Sequence, residues 1–125
     1  MYKTALVEPL VDDGRKLLEQ LDVQRFPVSA GLWYYWPDRA TWKLVIISPI
    51  ADAKGPHYGY TRIQKALGKA EPTSLALDDI MLVGKKDPAF FELKIAVGTP
   101  WPESLESRAR PLRPSEDSYV YRWAL

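Results

Sequence analysis

Residues 28–49 have the sequence VSAGLWYYWPDRATWKLVIISP, and the fold is most directly predicted from this stretch. Two runs rich in aromatic and β-branched residues, Val28–Trp36 and Thr41–Pro49, flank the turn tetrapeptide Pro37–Ala40. This pattern predicts an antiparallel β-hairpin. Pairing Trp36 with Thr41 sets the register, which then places Tyr35 opposite Trp42, Trp33 opposite Leu44 and Gly31 opposite Ile46.

The two faces of this hairpin differ in polarity, because successive residues of a strand point to opposite sides of the sheet. We expect the apolar face to pack on the core; it carries Trp33, Tyr35, Trp42, Leu44 and Ile46. The mixed face carries Leu32, Tyr34, Trp36, Thr41, Lys43, Val45 and Ile47, and it becomes more polar toward the turn. We therefore expect Tyr34 or Trp36, or both, to be exposed near the turn.

The remaining segments alternate between helical and extended patterns. Apolar residues at helical spacing predict an amphipathic helix over about residues 8–22 and a second over about 57–69. Leu75–Val83, Phe91–Val97 and Ser118–Leu125 have the composition of strands. Residues 99–117 are rich in Pro and Arg without an apolar period, and this predicts a long irregular loop that is more mobile than the rest.

This order of elements predicts an α+β fold. We expect a largely antiparallel sheet of about five strands, with two helices packed on one face. The chain has 125 residues, which is close to the commonest domain size, so residues 1–125 are expected to form a single globular domain.

The composition limits the classes of function. The net charge is only +1, which removes the simplest argument for nonspecific binding to nucleic acid or to a membrane. The absence of cysteine excludes disulfides, thiolate nucleophiles and cysteine-ligated zinc, and it favours a cytoplasmic location. No signal peptide and no membrane-spanning segment are expected from the sequence, and no motif indicates a cofactor.

An excess of amphipathic aromatic residues favours a binding role over catalysis. Five Trp and seven Tyr are many for this length, and these residues are enriched at protein interfaces. The surface near the hairpin turn, with Tyr34, Trp36 and Lys43, is the predicted binding site. A protein partner, including another copy of this chain, is favoured over nucleic acid.

A metal-dependent nuclease or phosphodiesterase is the enzymatic alternative. Asp79 followed by Glu92 and Lys94 on a later strand would provide two carboxylates for a hard divalent cation and a lysine to activate water. Glu92 and Lys94 would point the same way on an extended strand, as that chemistry requires. A solvated face of an ordinary amphipathic strand gives the same pattern.

A weaker anion-binding site is indicated where the second predicted helix begins. Lys54 precedes Gly55 and Pro56, and His57, the single histidine of the chain, follows them. Free N–H groups at a helix start favour negative charge, and Arg62 would lie about one turn further along. Glycine and proline are equally common at helix starts for purely structural reasons, without a bound anion.

Basic residues near aromatic ones leave open a single-stranded nucleic-acid-binding module, which would hold phosphates and stack bases. The candidate residues are Arg62, Lys65, Lys69, Lys85 and Lys86. A solvated helix face and a solvated turn explain them equally well. Arg108, Arg110 and Arg113 in the 99–117 loop are nearly balanced by neighbouring acidic residues, so a plain solvated loop is the simpler interpretation there.

Overall fold

The computed structural model describes residues 8–36, 38–70, 75–97 and 118–124, with only the backbone described for 95–97. Within these ranges the chain is α+β, with a mixed four-stranded sheet and four α-helices. In chain order the elements are α1 (Glu8–Val23), β1 (Ala30–Trp36), β2 (Thr41–Ile47), α2 (Pro49–Ala53), α3 (Pro56–Lys69), β3 (Ile80–Val83), α4 (Pro88–Val97) and β4 (Ser118–Trp123).

The predicted hairpin is confirmed, including its register. β1 and β2 pair antiparallel, with Trp36 opposite Thr41, Tyr35 opposite Trp42, Trp33 opposite Leu44 and Gly31 opposite Ile46. In the turn, the Arg39 N–H donates to the Trp36 carbonyl, and Ala40 adopts a φ of 49°. The aromatic and β-branched content of the two runs thus produces the central pair of strands.

The sheet is mixed rather than largely antiparallel. Its strand order is β3-β2-β1-β4, with β4 antiparallel to β1 and β3 parallel to β2. The parallel pair arises because α2 and α3 form a helical crossover between β2 and β3, and such a crossover returns the chain in the same direction. Only Ile80–Val83 of the predicted strand Leu75–Val83 pairs in the sheet, since a single 3₁₀ turn occupies Leu77–Asp79.

The predicted strand Phe91–Val97 is wrong, because these residues belong to the helix α4. The Asp87 carboxylate accepts a hydrogen bond of 2.9 Å from the Ala89 N–H, and Pro88 is the first helical residue. Asp at an N-cap and Pro directly after it are both strong helix-start signals. This segment was one of the five predicted strands, and the described sheet has the other four.

Helices cover both faces of the sheet, whereas the sequence predicted helices on one face. The cluster on the first face joins the sheet to α1 and α3; it includes Leu17, Leu21, Trp33, Leu44, Ile46, Ile63 and Leu82. The cluster on the second face joins the sheet to Leu93 of α4; it includes Leu32, Tyr34, Val45, Ile47, Val83 and Val120. The apolar hairpin face therefore packs on the core as expected, but so does the mixed face.

The two predicted amphipathic helices are confirmed as α1 and α3, and the predicted last strand as β4. α1 ends where Arg25 takes a left-handed φ of 61° and the Phe26 N–H donates to the Leu21 carbonyl, a Schellman arrangement that directs the Phe26 ring into the core. The predicted loop 99–117 lies outside the described residues. None of the described helices is long and apolar enough to cross a bilayer.

Candidate functional site

Of the three residues predicted to bind near the hairpin turn, Tyr34 is buried, and Trp36 and Lys43 are half-buried. Tyr34 is only 8% exposed and belongs to the core cluster beneath α4, so its expected exposure is wrong. Trp36 is half-buried and packs edge-to-face on Tyr34, with 4.7 Å between ring centroids. The physical reason is α4, because a helix in place of the predicted strand covers this side of the sheet.

The polar groups of the same surface are hydrogen-bonded within the chain or buried. The Lys43 ammonium donates to the main-chain carbonyl of Asp78, which links β2 to the 3₁₀ turn. The Trp36 indole nitrogen is buried and has no hydrogen-bond partner among the described residues. A buried donor left without an acceptor costs about 1–3 kcal/mol. The Lys43 contact stabilises the hairpin, whereas the unpartnered indole nitrogen of Trp36 lowers its stability.

The outer side of α4 carries the most exposed aromatic side chain that the structure describes, and the sequence reasoning missed it. The Phe91 side chain is 67% exposed, and the neighbouring Glu92 and Lys94 are also exposed. Leu93 of the same helix is fully buried against the sheet. The signal that would have revealed this arrangement is Asp87-Pro88, which starts a helix and so places Phe91 and Leu93 on opposite sides.

The proposed nuclease residues do not share the geometry that their chemistry needs. Glu92 and Lys94 lie on a helix, where residues two apart point in nearly opposite directions, so the expectation of one common strand face is wrong. Asp79 ends the 3₁₀ turn, and its carboxylate accepts a hydrogen bond of 2.9 Å from the Ala76 N–H. Among the described residues, no group of three His, Cys, Asp or Glu side chains is arranged to hold a metal ion.

The proposed anion-binding residues do lie around the start of α3, but Arg62 is committed to structural contacts. Its guanidinium donates hydrogen bonds of 3.0 Å to the Tyr58 hydroxyl and 2.9 Å to the Gln24 carbonyl. Its Cζ also lies 5.7 Å from the centroid of the Phe26 ring and 5.8 Å from that of the Tyr58 ring. The Lys54 ammonium is 5.8 Å from the centroid of the Tyr58 ring, and His57 is exposed. This cluster fastens α3 to the end of α1.

The other basic candidates are solvated on two separate elements. Lys65 and Lys69 are exposed on α3, and Lys85 and Lys86 are exposed on the turn after β3. The main-chain N–H groups of Lys85 and Lys86 both donate to the Asp52 carboxylate, at 2.8 and 3.4 Å. The Asp52 carboxylate thus already accepts from both N–H donors of this turn. Arg108, Arg110 and Arg113 lie outside the described residues.

On α4, Phe91 is exposed to solvent with Glu92 and Lys94 beside it, and the buried Leu93 anchors the helix to the sheet. Comparison of the chain with protein-family models, with curated proteins and with solved structures finds no match.

Proposed function

We propose that this chain acts by binding another protein, and that its contact surface is the outer side of α4, centred on Phe91. The single observation that carries the proposal is the 67% exposure of the Phe91 ring on a helix whose opposite side is buried. Leaving a ring of this size in water costs the chain the favourable free energy of burying it, which is about 1.5–3 kcal/mol. A partner that covers the ring gains that free energy.

The two other large exposed apolar side chains of the described residues do not offer the same opportunity. Tyr58 is 40% exposed, but its ring and hydroxyl already contact Lys54 and Arg62. Val23 is 72% exposed, yet its side chain offers less apolar area than a phenylalanine ring, and it is the last residue of α1. Aromatic residues dominate the binding energy of protein interfaces, whereas valine is under-represented there.

Further apolar groups lie on the side of the sheet that α4 covers. Phe90, Met81, Trp36 and Trp123 are each only partly buried and pack at the margin of the second core cluster. A ten-residue helix is about 15 Å long, too short to cover a four-stranded sheet completely. An apolar patch rimmed by polar residues is typical of protein interaction sites.

The test is photo-crosslinking from a single position in cells of the organism that makes the protein. Benzoylphenylalanine at position 91 nearly preserves the shape of the native ring, and the same residue at position 23 is the matched exposed control. We expect a covalent adduct with an identified protein from position 91 that is absent from position 23. Equal yields from both positions, or no adduct at either, would refute the proposed contact surface.

A further inference from the structure

We infer that the partner covering the outer side of α4 is a second copy of this chain, with the two α4 helices packed side by side and parallel about a twofold axis. This inference rests on the proposed function, since it identifies the partner of the same surface. It follows from the positions of the charges around Phe91.

The helical wheel places the two charged residues on opposite flanks of Phe91. At 3.6 residues per turn, Glu92 lies about 100° to one side of Phe91 and Lys94 about 60° to the other. Pro88, also exposed, falls on the same outward strip as Phe91, while Leu93 falls on the buried side. The surface is therefore an apolar ridge with an acid along one flank and a base along the other.

The symmetry of the pair decides whether these charges attract or repel. In a parallel pair, a twofold axis along the helices brings the acidic flank of one copy against the basic flank of the other. Glu92 then faces Lys94 of the second copy, and the same pair forms twice because a twofold interface is self-complementary. In an antiparallel pair, like flanks meet, so that Glu92 faces Glu92 and Lys94 faces Lys94.

Neither Glu92 nor Lys94 forms an ion pair with another described residue. Glu92 makes no ion pair there, and the Lys94 ammonium lies 6.0 Å from the centroid of the Phe90 ring without a carboxylate beside it. The whole chain has a net charge of only +1, so two copies scarcely repel each other. A second copy thus covers the exposed Phe91 ring and pairs with both flanking charges.

The contact between two short helices is smaller than a standard interface, so we expect a weak, concentration-dependent dimer. Sedimentation equilibrium from roughly 10 μM to roughly 1 mM covers the range of dissociation constants expected for so small a contact. Phe91→Ser should raise the dissociation constant roughly thirtyfold. Val23→Ser, which removes an exposed apolar side chain elsewhere, should leave it unchanged.

Charge reversal tests the parallel arrangement itself. Glu92→Lys and Lys94→Glu should each weaken the dimer about tenfold, because each turns both attractive pairs into repulsive ones. The double variant should recover the wild-type dissociation constant. A mixture of the two single variants should form a heterodimer, because the lysines of one chain meet the glutamates of the other. Glu19→Lys, an exposed reversal on α1, is the control and should have no effect.

Each other outcome overturns the inference. A wild-type chain that stays monomeric over this range has no such dimer. A dimer that is insensitive to Phe91→Ser, or to the single charge reversals, uses another surface or arrangement. If the chain is monomeric and position 91 crosslinks to a different protein, the binding surface stands and only its partner is wrong. If it is monomeric and position 91 gives no adduct, the proposed function falls as well.

Discussion

The indole N–H of Trp33 on β1 donates a hydrogen bond of 3.0 Å to the hydroxyl of Tyr121 on β4. The same hydroxyl donates to the main-chain carbonyl of Val11 on α1. One oxygen thus connects two strands and the helix that packs on them, and it satisfies a buried donor and a helix carbonyl together. Burial raises the pKa of Tyr121 well above its ordinary value, and the hydrogen bond from Trp33 opposes this only in part.

A bulge in β4 makes this arrangement possible. On β1, Leu32 pairs with Val120 of β4, and the adjacent Gly31 pairs with Arg122. Tyr121, which lies between these two partners, is therefore the extra residue of the bulge. Tyr121 and Arg122 can then both reach α1. The Arg122 guanidinium donates to both oxygens of Asp22, at 3.0 and 2.7 Å. The last strand is therefore fastened to α1 by two consecutive side chains.

Tyr121→Phe removes the shared hydroxyl, so that the Trp33 N–H loses its acceptor and the Val11 carbonyl loses the bond that it accepts from β4. We expect the free energy of unfolding to fall by about 1–3 kcal/mol, the cost of leaving buried polar groups unsatisfied. Tyr119→Phe is the matched control, because the Tyr119 ring packs on that of Tyr121 but its hydroxyl has no hydrogen bond among the described residues. Urea unfolding followed by circular dichroism measures both. Equal losses would show that the hydroxyl contributes nothing specific.

Alkaline pH should reduce the stability of the wild-type chain more than that of Tyr121→Phe. The raised pKa keeps Tyr121 protonated in the folded state, whereas the unfolded tyrosine ionises near its ordinary value of 10.0. The contribution of this group is therefore complete below pH 10 and is lost as the pH rises from there through the higher folded pKa. Unfolding measured from about pH 7 to about pH 11 should show the two free energies converging. Parallel curves for the two proteins would contradict the assignment.

Much of the fold follows from local patterns in the sequence. The hairpin register depends on turn chemistry and strand alternation, both of which lie within Val28–Pro49, and the structure reproduces it pair by pair. α1 and α3 follow from their apolar spacing. The parallel pairing of β3 does not follow in this way, because which edge of the hairpin receives Ile80–Val83 is decided by the packing of α3 on the sheet and not by the strand itself.

The sequence did not indicate the surface of α4, because this element was assigned the period of a strand. Read as a strand, Phe91–Val97 puts Phe91 and Leu93 on one face, and Glu92 and Lys94 on the other. As a helix, the same residues separate Phe91 from Leu93 and place the two charges on either side of Phe91. Apolar and β-branched residues favoured the strand, while the decisive signals were the N-cap Asp87 and the first-turn Pro88. The mistaken expectation that Tyr34 is exposed has the same origin, because α4 covers this residue.

Asp52→Ala should loosen the turn after β3. The Asp52 carboxylate on α2 accepts from the N–H groups of Lys85 and Lys86, and Gly84 leaves it room, since a Cβ there would collide with the carboxylate. We expect faster hydrogen exchange at the Lys85 and Lys86 amides, with a global loss of about 1 kcal/mol because the bonds are exposed. Asp38→Ala removes the same charge from the hairpin turn and should leave both amides unchanged. Unaltered exchange in Asp52→Ala would show that the carboxylate does not hold the turn.

Gly14→Ala and Gly68→Ala should shift stability in opposite directions, although both replace a glycine within a helix. Alanine is the better helix former by about 1 kcal/mol. At Gly68 on α3 nothing lies within 4 Å of an added Cβ, so we expect stabilisation by about 0.5–1 kcal/mol. At Gly14 on α1 the Cβ would collide with the Tyr121 hydroxyl and lie 3.0 Å from the Trp33 indole nitrogen. Overpacking of this kind costs about 1–3 kcal/mol, which exceeds the helical gain.

The coupling between Gly14 and Tyr121 can be isolated with a double-mutant cycle. Because the collision is mainly with the hydroxyl oxygen, Gly14→Ala should be less destabilising in the Tyr121→Phe background than in the wild type, by about 1 kcal/mol. Gly68→Ala, on a different helix, should have the same effect in both backgrounds. Urea unfolding of the six proteins provides every term of the comparison. If Gly14→Ala stabilises the wild-type chain as Gly68→Ala does, α1 does not approach β4 as closely as the Trp33–Tyr121–Val11 hydrogen bonds require.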